Sequence, residues 1–171
     1  MATNGEITEG ISTLYDTINQ IIEEARAAVY RTANITMVRA YWHIGRVIVE
    51  DEQKGKERAE YGKQVLKQLS QKLTKKHGRG FDESNLRHMR NFYLVYPKCD
   101  ALRPELSWTH YRLLLKVGNE QARLFYMQET IDCNWSTRTL ERQIGNLYYE
   151  RMNYNKNLNI FNNYKYVYAY V

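Results

Sequence analysis

Proline occurs at only two places in this 171-residue chain, Pro97 and Pro104. Proline lacks a backbone N–H and costs about 3 kcal/mol inside a helix. The sequence therefore leaves 96 residues before the pair and 67 after it free of that interruption. Both stretches carry apolar residues at helical spacing, so an all-α helical bundle is the expected fold class.

The first stretch opens with Ile7, Ile11, Leu14, Ile18, Ile21 and Ala25, in alternating steps of four and three. That is a helical stripe of near-heptad period. The opposite face is acidic, with Glu6, Glu9, Asp16, Glu23 and Glu24. A second pattern runs through Met37, Tyr41, Gly45 and Ile48, so helices are expected across 7–53. The stretch Val29–Asn34 permits either one continuous helix or a bend.

A helix from about Arg58 to Lys76 follows, with Tyr61, Val65, Leu66, Leu69 and Leu73 on one side. Gly78 is placed to end it in a left-handed conformation. Asp82 or Ser84 can then cap the next helix, which Pro97 closes near Tyr96. Leu86, Met89, Tyr93 and Tyr96 form its apolar stripe, and Ser84, Arg87, His88 and Asn91 its polar one. Beyond the prolines, Ser107, Asn119 and Ser136 are placed to cap three helices, Trp108–Val117, Glu120–Asn134 and Thr137–Met152. Connections this short require a tight three-helix unit over 107–152.

The organisation expected is one helical domain over 1–152, with a helix–turn–helix at 58–96, followed by a tail at 153–171. That tail holds 6 Asn and 5 Tyr among its 19 residues and no acid. Asn is poor helix material, and the end, YKYVYAYV, alternates like a short strand.

Charge is unevenly distributed along the chain. Residues 56–98 hold 11 Lys and Arg against 4 Asp and Glu, a net of +7, whereas the whole chain is +6. A concentrated positive field on a helix–turn–helix outline is the footprint of a surface that meets phosphates. Lys63, Lys67, Lys72, Lys75, Lys76 and Arg79 are the expected phosphate contacts. Arg87, His88, Arg90 and Asn91 are placed to read or brace a groove, since Arg suits guanine edges or phosphates and Asn adenine edges. Arg138 and Arg142, four residues apart, repeat the pattern weakly, and Glu141 and Glu150 offer them ordinary local ion pairing. The 15 Tyr raise base stacking, but Tyr41, Tyr61, Tyr93 and Tyr126 fall on apolar stripes and read as core.

Catalytic signals are sparse. Glu52-Gln53-Lys54 matches the E-x-K fragment of metal-dependent nucleases but sits at a helix end rather than on a strand. His43, His77, His88 and His110 lack paired ligand spacing, and Cys99 and Cys133 are isolated. No catalytic residues, metal or cofactor are therefore expected. The isolated cysteines, and the lack of any signal-like or membrane-length apolar run, suit a reducing cytoplasm.

Six segments carry a resemblance to a known family. They are A-A-V-Y-R-T-A-N (27–34), A-Y-W-H-I-G-R-V-I-V-E (40–50), R-A-E-Y-G-K-Q-V-L (58–66), G-R-G-F-D-E-S-N-L-R-H-M-R-N-F-Y (78–93), L-S-W-T-H-Y-R-L-L-L (106–115) and N-W-S-T-R-T-L-E-R-Q-I (134–144). Together they resemble the N-terminal domain of the YhcG family, from about Ile11 to Arg151. The resemblance implies a winged-helix-like domain that binds DNA and normally precedes a PD-(D/E)XK nuclease domain. Here the chain ends about 20 residues past the shared region, so a remnant or stand-alone form of that module is expected.

Non-catalytic DNA binding is thus the expected function. The alternative is a protein-interaction module, with residues 7–25 pairing two chains or docking a partner subunit. A run this short is otherwise expected to pack on the chain's own helices.

Overall fold

The computed structural model describes the backbone of residues 4–54 and 59–154, and the side chains of residues 11–54 and 64–154. The regular structure of the described residues is all helical, with no strand among them. Six α-helices, followed by a further helical stretch over 148–154, run in order among the described residues: α1 (Asn4–Lys54), α2 (Ala59–His77), α3 (Glu83–Val95), α4 (Trp108–Leu114), α5 (Glu120–Asp132) and α6 (Thr137–Gly145).

The two patterns of the N-terminal region form one helix of 51 residues, unbroken through 29–34. At 1.5 Å per residue it is about 75 Å long. Only its second half enters the core. Val38, Trp42, Ile48 and Val49 are buried there, whereas Met37, expected on the buried stripe, is 43 % exposed. Gly45 and Ile48 of the expected stripe are buried and Tyr41 is half-buried, while Val38 and Trp42, one residue on, join them where α3 crosses at Gly45. A Cβ built at Gly45 would stand 2.0 Å from the Met89 carbonyl oxygen. Glycine lets the two backbones approach until side chains on both flanks interlock.

The first half of α1 corrects an expectation. Among the described residues, the stripe at 11–25 does not pack on the other helices: Ile11, Leu14, Ile18 and Ile21 are 48–62 % exposed. The physical reason is reach, since α3 and α4 meet α1 around residues 38–52 and the rest projects past them. Ile7 lies outside the described side chains.

Two apolar clusters hold the body together. In the larger, Trp42, Phe92, Tyr96 and Tyr111 meet Leu106, Leu114, Tyr126 and Leu140. Phe92 and Tyr111 have ring centroids 4.8 Å apart, and the Trp42 indole N–H donates to the Tyr96 carbonyl at 2.6 Å. The smaller cluster joins Ile48, Leu66, Leu86 and Met89, seating α2 on α1 and α3. Tyr126 is buried, and Tyr41 and Tyr93 are half-buried, as core residues; the Tyr61 side chain lies outside the described residues.

The caps fall where the polar residues were expected. Asp82 accepts from Asn85 N at 2.9 Å and Asn119 from Ala122 N at 2.9 Å. Ser136 accepts from Thr139 N at 3.2 Å, and Ser107 forms a capping box with His110. Gly78 has φ +89° and ψ −169°. This is a region glycine alone adopts readily, though not the left-handed helical one. The helix expected over 137–152 breaks at Leu147, whose φ is +53°, and resumes at 148. The break lets Tyr149 N donate to the Tyr126 hydroxyl at 3.1 Å. The strand-like end of the tail lies outside the described residues.

Candidate nucleic-acid interface

The basic stretch occupies α2, the turn at 78–82 and α3. Residues four apart share a helix face, so Lys67, Gln71 and Lys75 follow one another along α2, and Lys72 and Lys76 form a second row. All five are exposed. The apolar side of α2, with Leu66, Leu69 and Leu73, faces the smaller cluster, which turns these cations to solvent. The Lys63 side chain lies outside the described residues. Arg79 is exposed in the 3₁₀ turn Arg79–Phe81.

Asn85 fixes the angle between turn and helix. Its amide donates to the Gly80 carbonyl, its N–H bonds Asp82, and its side-chain oxygen accepts from the Trp108 indole at 3.0 Å. One residue thereby ties the turn to α3 and to α4.

On α3 the structure separates the four residues expected to read or brace a groove. Arg87 and Asn91 are exposed, with Arg87 paired to Glu83 one turn earlier. Arg90 points the other way: its Nε donates to Glu52 of α1 at 2.7 Å, across 38 residues of sequence. It braces the α1–α3 crossing, and Glu52, the acid of the E-x-K match, is its partner. His88 is half-buried, and burial together with the charges of Arg112 and Lys116 holds its pKa below the ordinary histidine value.

Arg112 and Lys116 extend the α3 surface, and sequence reasoning did not single them out. Both are exposed beside His88. The region 103–151 is nearly neutral, which masks them; their four-residue spacing in R-L-L-L-K was the available signal. Arg138 and Arg142 are exposed on α6, while Glu150 accepts from the Tyr126 hydroxyl at 3.3 Å.

Among the described residues no group of three or more His, Cys, Asp or Glu is arranged to hold a metal ion. Likewise none of their helices is long and apolar enough to cross a membrane.

An all-helical body carrying a cationic helix, a tight turn and a second polar helix matches known sequences. Residues 17–151 match the family described as DUF1016 N-terminal domain, and the chain belongs to that family. It is 37 % identical over 176 aligned positions to an Escherichia coli (strain K12) protein named "Putative nuclease YhcG", with 84 % of this chain covered. The match takes in 47 % of that protein, so the chain spans about half the length of its curated relative. No solved structure matches.

Proposed function

We propose that this chain is a non-catalytic DNA-binding module, in which α2, the 78–82 turn and α3 act as a helix–turn–helix. The observation that carries the reading is the net +7 of residues 56–98 in a chain of +6, with its described lysines turned to solvent. Lys67, Lys72, Lys75, Lys76 and Arg79 hold phosphates, and Lys63 belongs with them by its spacing. Arg87, His88 and Asn91 enter a groove, flanked by Arg112 and Lys116, while Arg90 braces α3 from behind. The relation to a protein named as a nuclease supports DNA as the polyanion. In this reading the module delivers DNA to a nuclease part. The winged-helix-like character implied by the resemblance rests on the helices, since the described residues include no strand to serve as a wing.

The test is fluorescence anisotropy with a labelled duplex at about 50 mM and about 200 mM salt. Five or six phosphate contacts give a log–log slope near −5, roughly a thousandfold loss of affinity over that range. Absence of detectable binding at the lower salt overturns the proposal.

A further inference from the structure

We infer that the first half of α1 is an antiparallel pairing surface for a second copy of this chain. This stands independently of the DNA reading. Ile11, Leu14, Ile18 and Ile21 are 48–62 % exposed, and beside them Tyr15, Ile22 and Val29 are 43–68 % exposed. Such a contiguous apolar face is what a soluble protein covers. Most of a helix's stability in water also comes from packing its apolar face.

The sequence repeat indicates what covers it. With Ile11 at heptad position a, Ile18, Ala25 and Thr32 follow at a, and Leu14, Ile21, Ala28 and Ile35 at d. The outermost position, f, is Glu9, Asp16 and Glu23 over the first repeats and Tyr30 in the next. A seam and an acidic back sharing one seven-residue repeat call for a partner helix of the same period. The acidic back also repels nucleic acid and anionic lipid. A second copy supplies the required period.

Charge sets the orientation. Position g carries Thr17, then Glu24, then Arg31. In a parallel pair, g faces the partner's following e position, which is Val29 for Glu24 and Thr36 for Arg31; neither completes an ion pair. In an antiparallel pair, g faces g. A two-fold axis that sets Ala25 against Ala28 of the second copy brings Glu24 to Arg31 twice. The same register sets Ile18 beside the half-buried Ile35, which also packs on the larger cluster of its own chain, and Ile21 on Thr32. It also sets Ile22 beside Val29 and Tyr15 beside Thr36, along the open hollow that Ala28, Val29, Thr32, Ala33, Thr36 and Met37 line. Farther out, Leu14 meets the aliphatic stem of the exposed Arg39. The contact is self-complementary, as a two-fold interface must be.

Sedimentation equilibrium of the full chain tests this. A dimer is expected at about 50 µM, a concentration at which a micromolar complex is mostly associated. Ile18→Asp is expected to give a monomer with unchanged near-ultraviolet circular dichroism from Trp42, Trp108 and Trp135. Glu24→Arg and Arg31→Glu should each weaken dimerisation about tenfold, because the symmetry counts each change twice. The double variant should return to within about threefold of wild type. Rescue cannot arise within one helix, where seven residues separate the two side chains by about 10 Å. A monomeric wild type at that concentration overturns the pairing and leaves the face to another segment or protein. A dimer whose double variant is no better than the singles overturns the antiparallel register.

Discussion

The imidazole of His110 accepts at Nδ1 from the Ser107 backbone N–H at 3.1 Å and from its hydroxyl at 2.9 Å. The proton of the neutral ring is then on Nε2, where it donates to the Trp135 carbonyl at 3.2 Å. Burial pushes the pKa of His110 down, with the bond to Trp135 opposing it. A group whose folded pKa is lowered contributes stability above its unfolded value of about 6.5, and loses it as pH falls through the folded value. Denaturant midpoints are therefore expected to drop between pH 7.5 and pH 5.5, and this part of the drop should vanish in His110→Gln. His88 is also lowered, by burial and then by Arg112 and Lys116. Bound phosphate would neutralise those cations and raise it again, so binding takes up a proton. DNA affinity should rise as pH falls from about 8 to 6, with a smaller pH dependence in His88→Asn. At Gly45 the expectation is steric: with Met89 oxygen 2.0 Å from a built Cβ, Gly45→Ala should cost about 3 kcal/mol in chemical denaturation.

Between helices, the ion pair of Arg90 and Glu52 joins α1 to α3, with side chains 39 % and 26 % exposed. Partial exposure limits its worth, so Arg90→Met is expected to cost about 1 kcal/mol of stability and little DNA affinity. Arg87→Ala should do the reverse, losing about tenfold in affinity with stability nearly unchanged. A comparison of melting and anisotropy data for the two variants distinguishes brace from contact. The elements themselves were legible where local chemistry decides them. Asp82, Ser107, Asn119 and Ser136 announce the helix starts because a short polar side chain is needed there. What the sequence hides depends on long-range packing. Phe92 is fully buried, yet it lies at the edge of a stripe drawn through Leu86, Met89, Tyr93 and Tyr96. Burial shifts toward it because α4 brings Trp108 and Tyr111 to that side. The direction of Arg90 and the arrival of Arg112 beside His88 depend on the same crossings, so spacing alone cannot supply them.

At the scale of the molecule, the described surface divides its tasks by charge and polarity. The cations cluster on α2 and α3, while the apolar stripe with its acidic back occupies the far end of α1. Lys67→Glu with Lys75→Glu should therefore flatten the salt dependence of DNA binding by about two units of slope and leave the oligomeric mass unchanged. The continuity of α1 has a further consequence, in time rather than in space. Residues 38–49 leave the ribosome well before residues 83–95, which cover them in the folded body. At about 5–20 residues per second, that interval lasts roughly 2–7 s. Throughout it, the nascent chain displays Val38, Trp42 and Val49 with nothing to bury them. For those seconds the order of the sequence itself leaves an apolar surface open to solvent, the kind of surface that invites aggregation.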